Sequence, residues 1–292
     1  MSLHITKSPS AGELSNFLET MNNQPKHHIG FCGENSSEIY DTLVNDFSDL
    51  PFEDSFVVAY KEDAIVGAVG LDVDLPRGVA DVWGPFIHEE EMGLAVELWN
   101  QLIRNVPKEV SKFSFFMNKE NTFVKQFAID REGIERGSDL VLQRTRESFS
   151  KQEVQVEPYT NPYCDSFSDL HNQLFPNTYF DAQTIQNRLD DDNQLIVVTE
   201  NESTIQGYVY FEASPKHSEG TIEYVGVAET FRKKGVGKRL INCALNELFS
   251  YESIDEITIC VEANHQAAIA LYQSVGFEVK YQLQSYRVVL DS

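Results

Sequence analysis

Arg232-Lys233-Lys234-Gly235-Val236-Gly237-Lys238-Arg239 stands between a β-branched, apolar stretch at 221–227 and a segment where Val236, Leu240, Ile241, Ala244, Leu245, Leu248 and Phe249 recur at helical spacing. Strand, glycine-rich turn and helix in that order bring several backbone N–H groups and the positive end of a helix dipole to one spot, which suits phosphate oxygens. Glycine at 235 and 237 lets the main chain approach an anion closely. These eight residues hold five of the ten lysines and arginines in residues 151–292. Cations gather favourably at a helix start when an anion lies among them, so the cluster points to a bound phosphate-like anion. A plain tight turn followed by a solvated helix end would use the same residues.

Outward from this loop the pattern is that of a mixed sheet with helices. Residues 195–199 and 205–211 read as a hairpin turning at 200–203, and 216–220 as the turn into the strand 221–227. Helices are expected near 165–174 and 181–189, behind a short strand near 154–157. After the loop, Ile257-Thr258-Ile259-Cys260-Val261 has the composition of a buried strand. Asn264 is placed to cap a helix carrying Ala267, Ala270 and Leu271, and Gly276 to end it. Residues 277–280 and 284–290 complete the pattern as strands.

The first half of the chain repeats this order. Gly67 precedes Gly207 by 140 positions, Trp83-Gly84-Pro85 precedes Val225-Gly226-Val227 by 142, and Asn121 and Gly133 precede Asn264 and Gly276 by 143. A nearly constant offset at several landmarks indicates an internal duplication. Two domains are therefore expected, 1–150 and 151–292, joined near 147–151. At the 142 offset, Glu90, Glu91, Met92, Gly93, Leu94 and Ala95 stand where the basic loop stands later, with Glu89 just before them. Carboxylates there would repel a phosphate group, so a single anion-binding loop is expected, in the C-terminal half.

Composition bounds the rest. Residues 1–150 carry 13 Lys and Arg against 25 Asp and Glu, and residues 151–292 carry 10 against 21, for a net charge of −23. Neither half is a basic module; such a charge repels nucleic acids and anionic lipid surfaces, so neither is expected as a partner, and it favours cationic small molecules or basic peptides in long-range encounter, while solubility alone would account for it equally well. No apolar run approaches the ~20 residues that cross a bilayer, and Lys7, Glu13 and Glu19 interrupt the segment after Met1. A cytoplasmic protein is the expectation, as monomer or homodimer. The four cysteines, Cys32, Cys164, Cys243 and Cys260, are widely spaced and read as reduced and mostly buried. His27, His28 and His217 lack partners at ligand spacing, so no metal is expected.

Together these motifs resemble the GNAT superfamily of N-acetyltransferases, in its tandem-domain form. Arg232, Gly235 and Gly237 fill the family's R/Q-x-x-G-x-G/A phosphate loop, Val225-Gly226-Val227 precedes it on a strand, and Asn264, Ala267, Ala268, Leu271, Tyr272, Gly276 and Phe277 resemble its N-x-x-A-x-x-L-Y-x-x-x-G-F segment, with Ala268 to Phe277 at its spacing and Asn264 one residue ahead of its first position. The resemblance implies an α/β (α+β) fold of two GNAT-like domains, each a mixed, splayed sheet flanked by helices, the first of them degenerate. It also implies acetyl-CoA as cofactor. Val225, Val227, Arg232, Lys233, Lys234, Gly235, Val236, Gly237, Lys238 and Asn264 would bind it, with the pantetheine arm pairing along Val225 and Val227 like an added strand.

The same resemblance implies transfer of an acetyl group to a primary amine of a small molecule or peptide, in a ternary complex. Tyr272 would donate a proton to the departing thiolate, and an N–H near Val225 would face the developing oxyanion. Glu223 lies two residues before Val225, so strand alternation puts both side chains on one face, where a carboxylate can take the amine proton directly or through water. Glu219 and Glu262 are further candidates for that base, and a packed aromatic is the plain reading of Tyr272. The acceptor wall is expected in 165–192, with Phe175, Pro176, Tyr179 and Phe180. A CoA-binding regulatory protein without turnover, or an acyltransferase with another donor or acceptor, would share the fold.

Overall fold

Strand and helix follow the hydrophobic periodicity closely in the computed structural model, which describes residues 3–6, 10–45, 47–89, 91–176 and 178–290. The chain forms two units, one of Met1–Asp139 with Gln282–Ser292 and one of Leu140–Tyr281. No helix among the described residues is long and apolar enough to cross a membrane.

The N-terminal unit runs β1 (Leu3–Thr6), α1 (Ala11–Asn22), α2 (Ser36–Asn45), α3 (Phe52–Ser55), β2 (Phe56–Lys61), β3 (Ala64–Asp74), β4 (Val79–Ile87), α4 (Met92–Ile103), β5 (Lys112–Asn118), α5 (Thr122–Ile129) and the start of β6 (Ile134–Thr145). Antiparallel pairing joins β1 to β4 in sequence. β5 then lies parallel to β4, but only Val79–Asp81 meet Lys112–Ser114. Trp99 of α4 fills the core between Phe113, Phe115 and Phe127, with ring centroids 5.4–5.9 Å apart. Such aromatic packing carries much of a core's apolar burial.

The C-terminal unit runs β7 (Glu157–Pro158), α6 (Cys164–Leu174), α7 (Ala182–Arg188), β8 (Asn193–Asn201), β9 (Thr204–Ser214), β10 (Glu219–Val227), α8 (Val236–Leu248), β11 (Glu256–Glu262), α9 (Gln266–Ser274) and the start of β12 (Glu278–Val289). Its strands lie in the order β7-β8-β9-β10-β11. Alternation along β9 feeds two cores: Val209 and Phe211 join the side chains of α8, while Tyr208 and Tyr210 join those of α6 and α7.

Three boundaries differ from the sequence reading. The units divide at Asp139/Leu140 and Tyr281/Gln282 rather than at 150/151, because β6 and β12 are each single 12-residue strands whose two ends belong to different units. Residues 277–280 and 284–290 are thus parts of one strand. The segment expected as a linker is packed: Arg146 donates to the carbonyls of Phe249, Tyr251 and Ile254, and Phe149 stacks on Phe249 at 4.7 Å. Finally, His265 and not Asn264 caps α9, its Nδ1 accepting from Ala268 N at 3.1 Å. Cys32 and Cys243 are buried, Cys164 is half-buried and Cys260 exposed.

One buried polar tie fixes the loop between α6 and α7. His171 is fully buried, with Nε2 2.9 Å from the Phe180 carbonyl and Nδ1 2.7 Å from Tyr208 Oη. A carbonyl only accepts, so Nε2 carries the proton and Nδ1 accepts from Tyr208. Burial lowers the His171 pKa, so the folded chain holds fewer protons on this ring than the unfolded chain does. Its contribution to stability is therefore complete above the unfolded value of about 6.5 and is lost as pH falls through the lower folded value. Tyr208→Phe leaves Nδ1 unsatisfied and should cost about 1–3 kcal/mol. Both tryptophans, Trp83 and Trp99, lie in the N-terminal unit, so the loss is to be read by circular dichroism or hydrogen exchange.

Candidate active site

β10 and β11 pair in parallel only where Glu219–Thr221 meet Glu256–Thr258, and then part. On its other edge β10 stays paired with β9 as far as Val227↔Gly207, and Ala228 N continues the ladder to Gln206 O. Because ladder bonds alternate along a strand, Tyr224, Gly226 and Ala228 turn their N–H groups to β9, and Val225 and Val227 turn theirs to the opening. Among the described residues nothing pairs with that edge of β10 past Thr221, apart from Arg232, whose Nε donates to the Val227 carbonyl at 3.1 Å. A strand-like ligand would find free main-chain groups here.

The open edge leads into the basic loop. Lys233 has φ +60° and Gly235, the residue before α8, has φ +84°, so the chain doubles back in left-handed conformations before the helix starts. Gly235 supplies no capping side chain. The N–H groups of Val236, Gly237 and Lys238 precede the first bond that closes α8, Arg239 N to Gly235 O, and so have no intrahelical acceptor. Lys233, Lys234 and Lys238 are exposed, with Lys234 Nζ over the Phe231 ring at 5.3 Å, while Arg239 is tied to the Gln155 carbonyl at 2.8 Å. The two glycines serve different ends. A Cβ at Gly235 would meet nothing within 4 Å, so only its φ demands glycine; a Cβ at Gly237 would lie 2.8 Å from Leu271, so that position lets α8 and α9 pack closely.

Glu223 is where the sequence reading fails. The β10–β9 register shifts between Ile222 and Tyr224, so Glu223 is the extra residue of a β-bulge. The bulge inverts the alternation: Ile222 and Val225, three apart, both pack on the α8 side, while Tyr224 packs on the α6–α7 side. Glu223 therefore does not share a face with Val225. It feels Glu212 and Arg188 instead, on the side of Tyr210 and Tyr224. Burial and the nearby Glu212 carboxylate raise its pKa to about 7, with Arg188 opposing. Arg188 bridges to Glu212 at 2.9 Å and lies over the Phe180 ring at 4.5 Å.

The acceptor segment expected from sequence gathers on this same face. Phe175 packs edge-on against Tyr224 at 5.1 Å, and Tyr224 Oη meets Thr178 Oγ1 at 2.6 Å and accepts from Phe180 N at 3.2 Å. Tyr179 is 77% exposed, and Pro176 is also exposed. The ties through His171, Tyr208 and Tyr224 went unread in the sequence, since isolated polar residues in an apolar pattern do not announce their partners. The bulge left no local signal either.

Tyr272 is buried on α9, its ring 6.1 Å from Phe277, in the core that Val225 and Val227 join from the other side. Burial raises its pKa above the ordinary phenol value, which keeps the hydroxyl protonated. Asn264, relieved of capping by His265, is exposed, and its side chain has no hydrogen bond among the described residues. Glu219 is half-buried where β10 and β11 still pair, and Glu262 is exposed at the end of β11. Val225, Val227, Tyr272 and the start of α8 thus belong to one core region, and Glu223 to the opposite face of the sheet.

Residues 157–277 match the family model of the acetyltransferase (GNAT) family. The chain carries a GNAT acetyltransferase domain. Among solved structures, a GCN5-related N-acetyltransferase from Sphaerobacter thermophilus is similar over 99% of this chain and 97% of its own, with a TM-score of 0.73 and 14% identity. A tandem GNAT protein from the clavulanic acid biosynthesis pathway covers 100% and 99%, with a TM-score of 0.69 and 12% identity. A GNAT-family acetyltransferase from Colwellia psychrerythraea covers 99% and 100%, at 0.60 and 11%. At these identities the likeness is one of fold, and the fold is the tandem GNAT arrangement, α/β with a mixed, splayed sheet flanked by helices. Curated proteins offer no matching sequence. The family is one of acyltransferases.

If the φ of Gly235 shapes the loop, Gly235→Val, a β-branched residue forced to φ +84°, is strained by about 1–3 kcal/mol, and Gly235→Asn is tolerated. Calorimetry with CoA should then show affinity falling tenfold or more in Gly235→Val and within a few-fold of the parent in Gly235→Asn. Equal loss in both variants would contradict this role.

Proposed function

We propose that the C-terminal unit transfers an acetyl group from acetyl-CoA to a primary amine of a small molecule or peptide, by direct attack while both are bound. The observation that carries this reading is the continuous run of unpaired main-chain groups, from the open edge of β10 at Val225 and Val227 to the start of α8. An extended arm ending in a diphosphate fits that run. Val225, Val227 and Asn264 would hold the arm, and the N–H groups of Val236, Gly237 and Lys238 with Arg232, Lys233 and Lys234 would hold the diphosphate. Bound acetyl-CoA supplies an acetyl thioester, an acyl group activated for attack by an amine.

The protein's own groups supply the proton transfers. An amine arrives protonated at neutral pH and must become neutral before it attacks. Glu223, with a pKa near 7 on the face lined by Tyr224, Phe175 and Phe180, is suited to take that proton directly or through water. The Val225 N–H, directed into the opening, is suited to the developing oxyanion. Tyr272 Oη, on the other side of the sheet and kept protonated by burial, is suited to hold the proton that a departing thiolate needs. Acid and base then sit on opposite faces, with the splayed edge between them. The carboxylates of Glu212 and Glu223 and the aromatic rings of 175–180 favour a cationic acceptor.

Release of free thiol from acetyl-CoA with a panel of diamines, amino sugars and N-terminal peptides tests this reading. At least one amine should be acetylated, and binding of acetyl-CoA with no turnover on any of them would favour a CoA-sensing protein. With a working acceptor, kcat/KM should rise with pH through about 7, because the base acts deprotonated, and Glu223→Gln should lose both that limb and most of the rate. Tyr272→Phe should lower kcat with little change in the KM for acetyl-CoA. Full activity of Tyr272→Phe across pH would remove it from the mechanism.

A further inference from the structure

The N-terminal unit has the same parting of strands, and its own chain fills it. β12 covers one edge of β5 along its whole length, from Lys112↔Val289 to Asn118↔Leu283. β4 covers the other edge only as far as Ser114. On the remainder of that second edge lies the segment after α1: Gly30 N donates to Phe116 O at 2.7 Å, Asn118 N donates to His28 O at 3.0 Å, and Ile29 bridges Met117 in antiparallel register. The segment is pinned from both ends. Asn22, the last residue of α1, accepts from Ile29 N at 2.8 Å and donates to Cys32 O at 2.7 Å. Gly30 fits only as glycine, since a Cβ there would fall 2.5 Å from the Phe116 ring and 2.7 Å from Leu283.

The duplication makes the comparison with the C-terminal unit specific. Pairing and helix caps set the equivalence: Val79↔Lys112 matches Glu219↔Glu256 and the cap Asn121 matches the cap His265, so Met117, Asn118 and Asn121 correspond to Val261, Glu262 and His265. The first three are 0%, 4% and 0% exposed. Of their counterparts, Glu262 and His265 are exposed and Val261 is half-buried. Asn121, which caps α5 as His265 caps α9, gives its Nδ2 hydrogen to the His28 carbonyl at 3.2 Å. Two further losses accompany the filled opening. Ile87 pairs with Gly67 as Val227 pairs with Gly207, so Pro85 stands where Val225 does and has no N–H to offer an added strand. Before α4, Glu89 and Glu91 replace the cations of the later loop; Glu90 lies outside the described residues.

We infer that His28-Ile29-Gly30 is a built-in occupant of the N-terminal unit's donor opening, standing in for the arm of an acyl-CoA, so that this unit takes up no CoA and the chain binds one equivalent. The identity of the displaced ligand rests on the reading of the C-terminal unit; the occupancy itself does not. A short strand with two main-chain hydrogen bonds to β5, two more to the side chains of Asn22 and Asn121, and a buried Ile29 is a fixed part of the fold, rather than a flap that CoA displaces.

Hydrogen exchange resolved to single amides, with and without 1 mM acetyl-CoA, tests the inference alongside calorimetric stoichiometry on the full chain. The inference expects Gly30 and Asn118 amides to exchange at least a hundredfold slower than unstructured chain, unchanged by acetyl-CoA, and one equivalent to bind. Fast exchange at Gly30 and Asn118 in the free protein, faster exchange on adding acetyl-CoA, or a second equivalent bound would each overturn it. Slow amides with no acetyl-CoA bound anywhere would uphold the occupant and overturn the function proposed for the C-terminal unit.

Discussion

The site depends on a pairing that stops. Three residues of β10 lie beside three of β11, and past Thr221 and Thr258 the strands part, leaving the N–H groups of Val225 and Val227 directed into an opening. Unpaired backbone groups in a sheet interior are costly unless something satisfies them, so a parting of this kind is a place where solvent, ligand or another piece of chain must supply partners. In the C-terminal unit Arg232 covers one carbonyl, and among the described residues the rest of the edge stays available. The basic loop continues the same set of free donors into the first turn of α8.

The N-terminal unit meets the same requirement from within. His28-Ile29-Gly30 satisfies the exposed edge of β5, and Asn121 caps α5 while also binding the intruding carbonyl. Two solutions to one backbone problem in one chain explain why a duplicated fold can keep its shape while losing its loop. Once the opening is filled, nothing requires a glycine turn or cations before α4, and carboxylates there carry no cost for binding. The fold is held by its cores of aromatic and branched residues, which both units retain.

Much of this was readable from residues alone, for identifiable reasons. Helix α8 and its loop were legible because apolar spacing, glycine and charge all changed within eight residues, and β8 to β10 because alternation and turns punctuated them. The duplication was legible because the hairpin glycines Gly67 and Gly207 hold the same place in both sheets and the later landmarks stay within a few residues of that offset. The reading failed where the deciding interaction lay between distant residues. No local pattern marks Glu223 as the bulged residue, and one inserted residue was enough to move its side chain to the face opposite Val225. Nor did sequence suggest that β6 and β12 each contribute to both units, that His265 takes the cap from Asn264, or that residues 28–30 form a strand.

The central claim is that main-chain donors at the start of α8, with the edge of β10, receive a diphosphate and its extended arm. A crystal structure of the chain with CoA tests it most directly. The account predicts diphosphate oxygens within about 2.7–3.2 Å of the amides of Val236, Gly237 and Lys238, with the arm alongside Val225 and Val227. Nucleotide density against the N-terminal unit, or at a surface remote from the loop before α8, would contradict it.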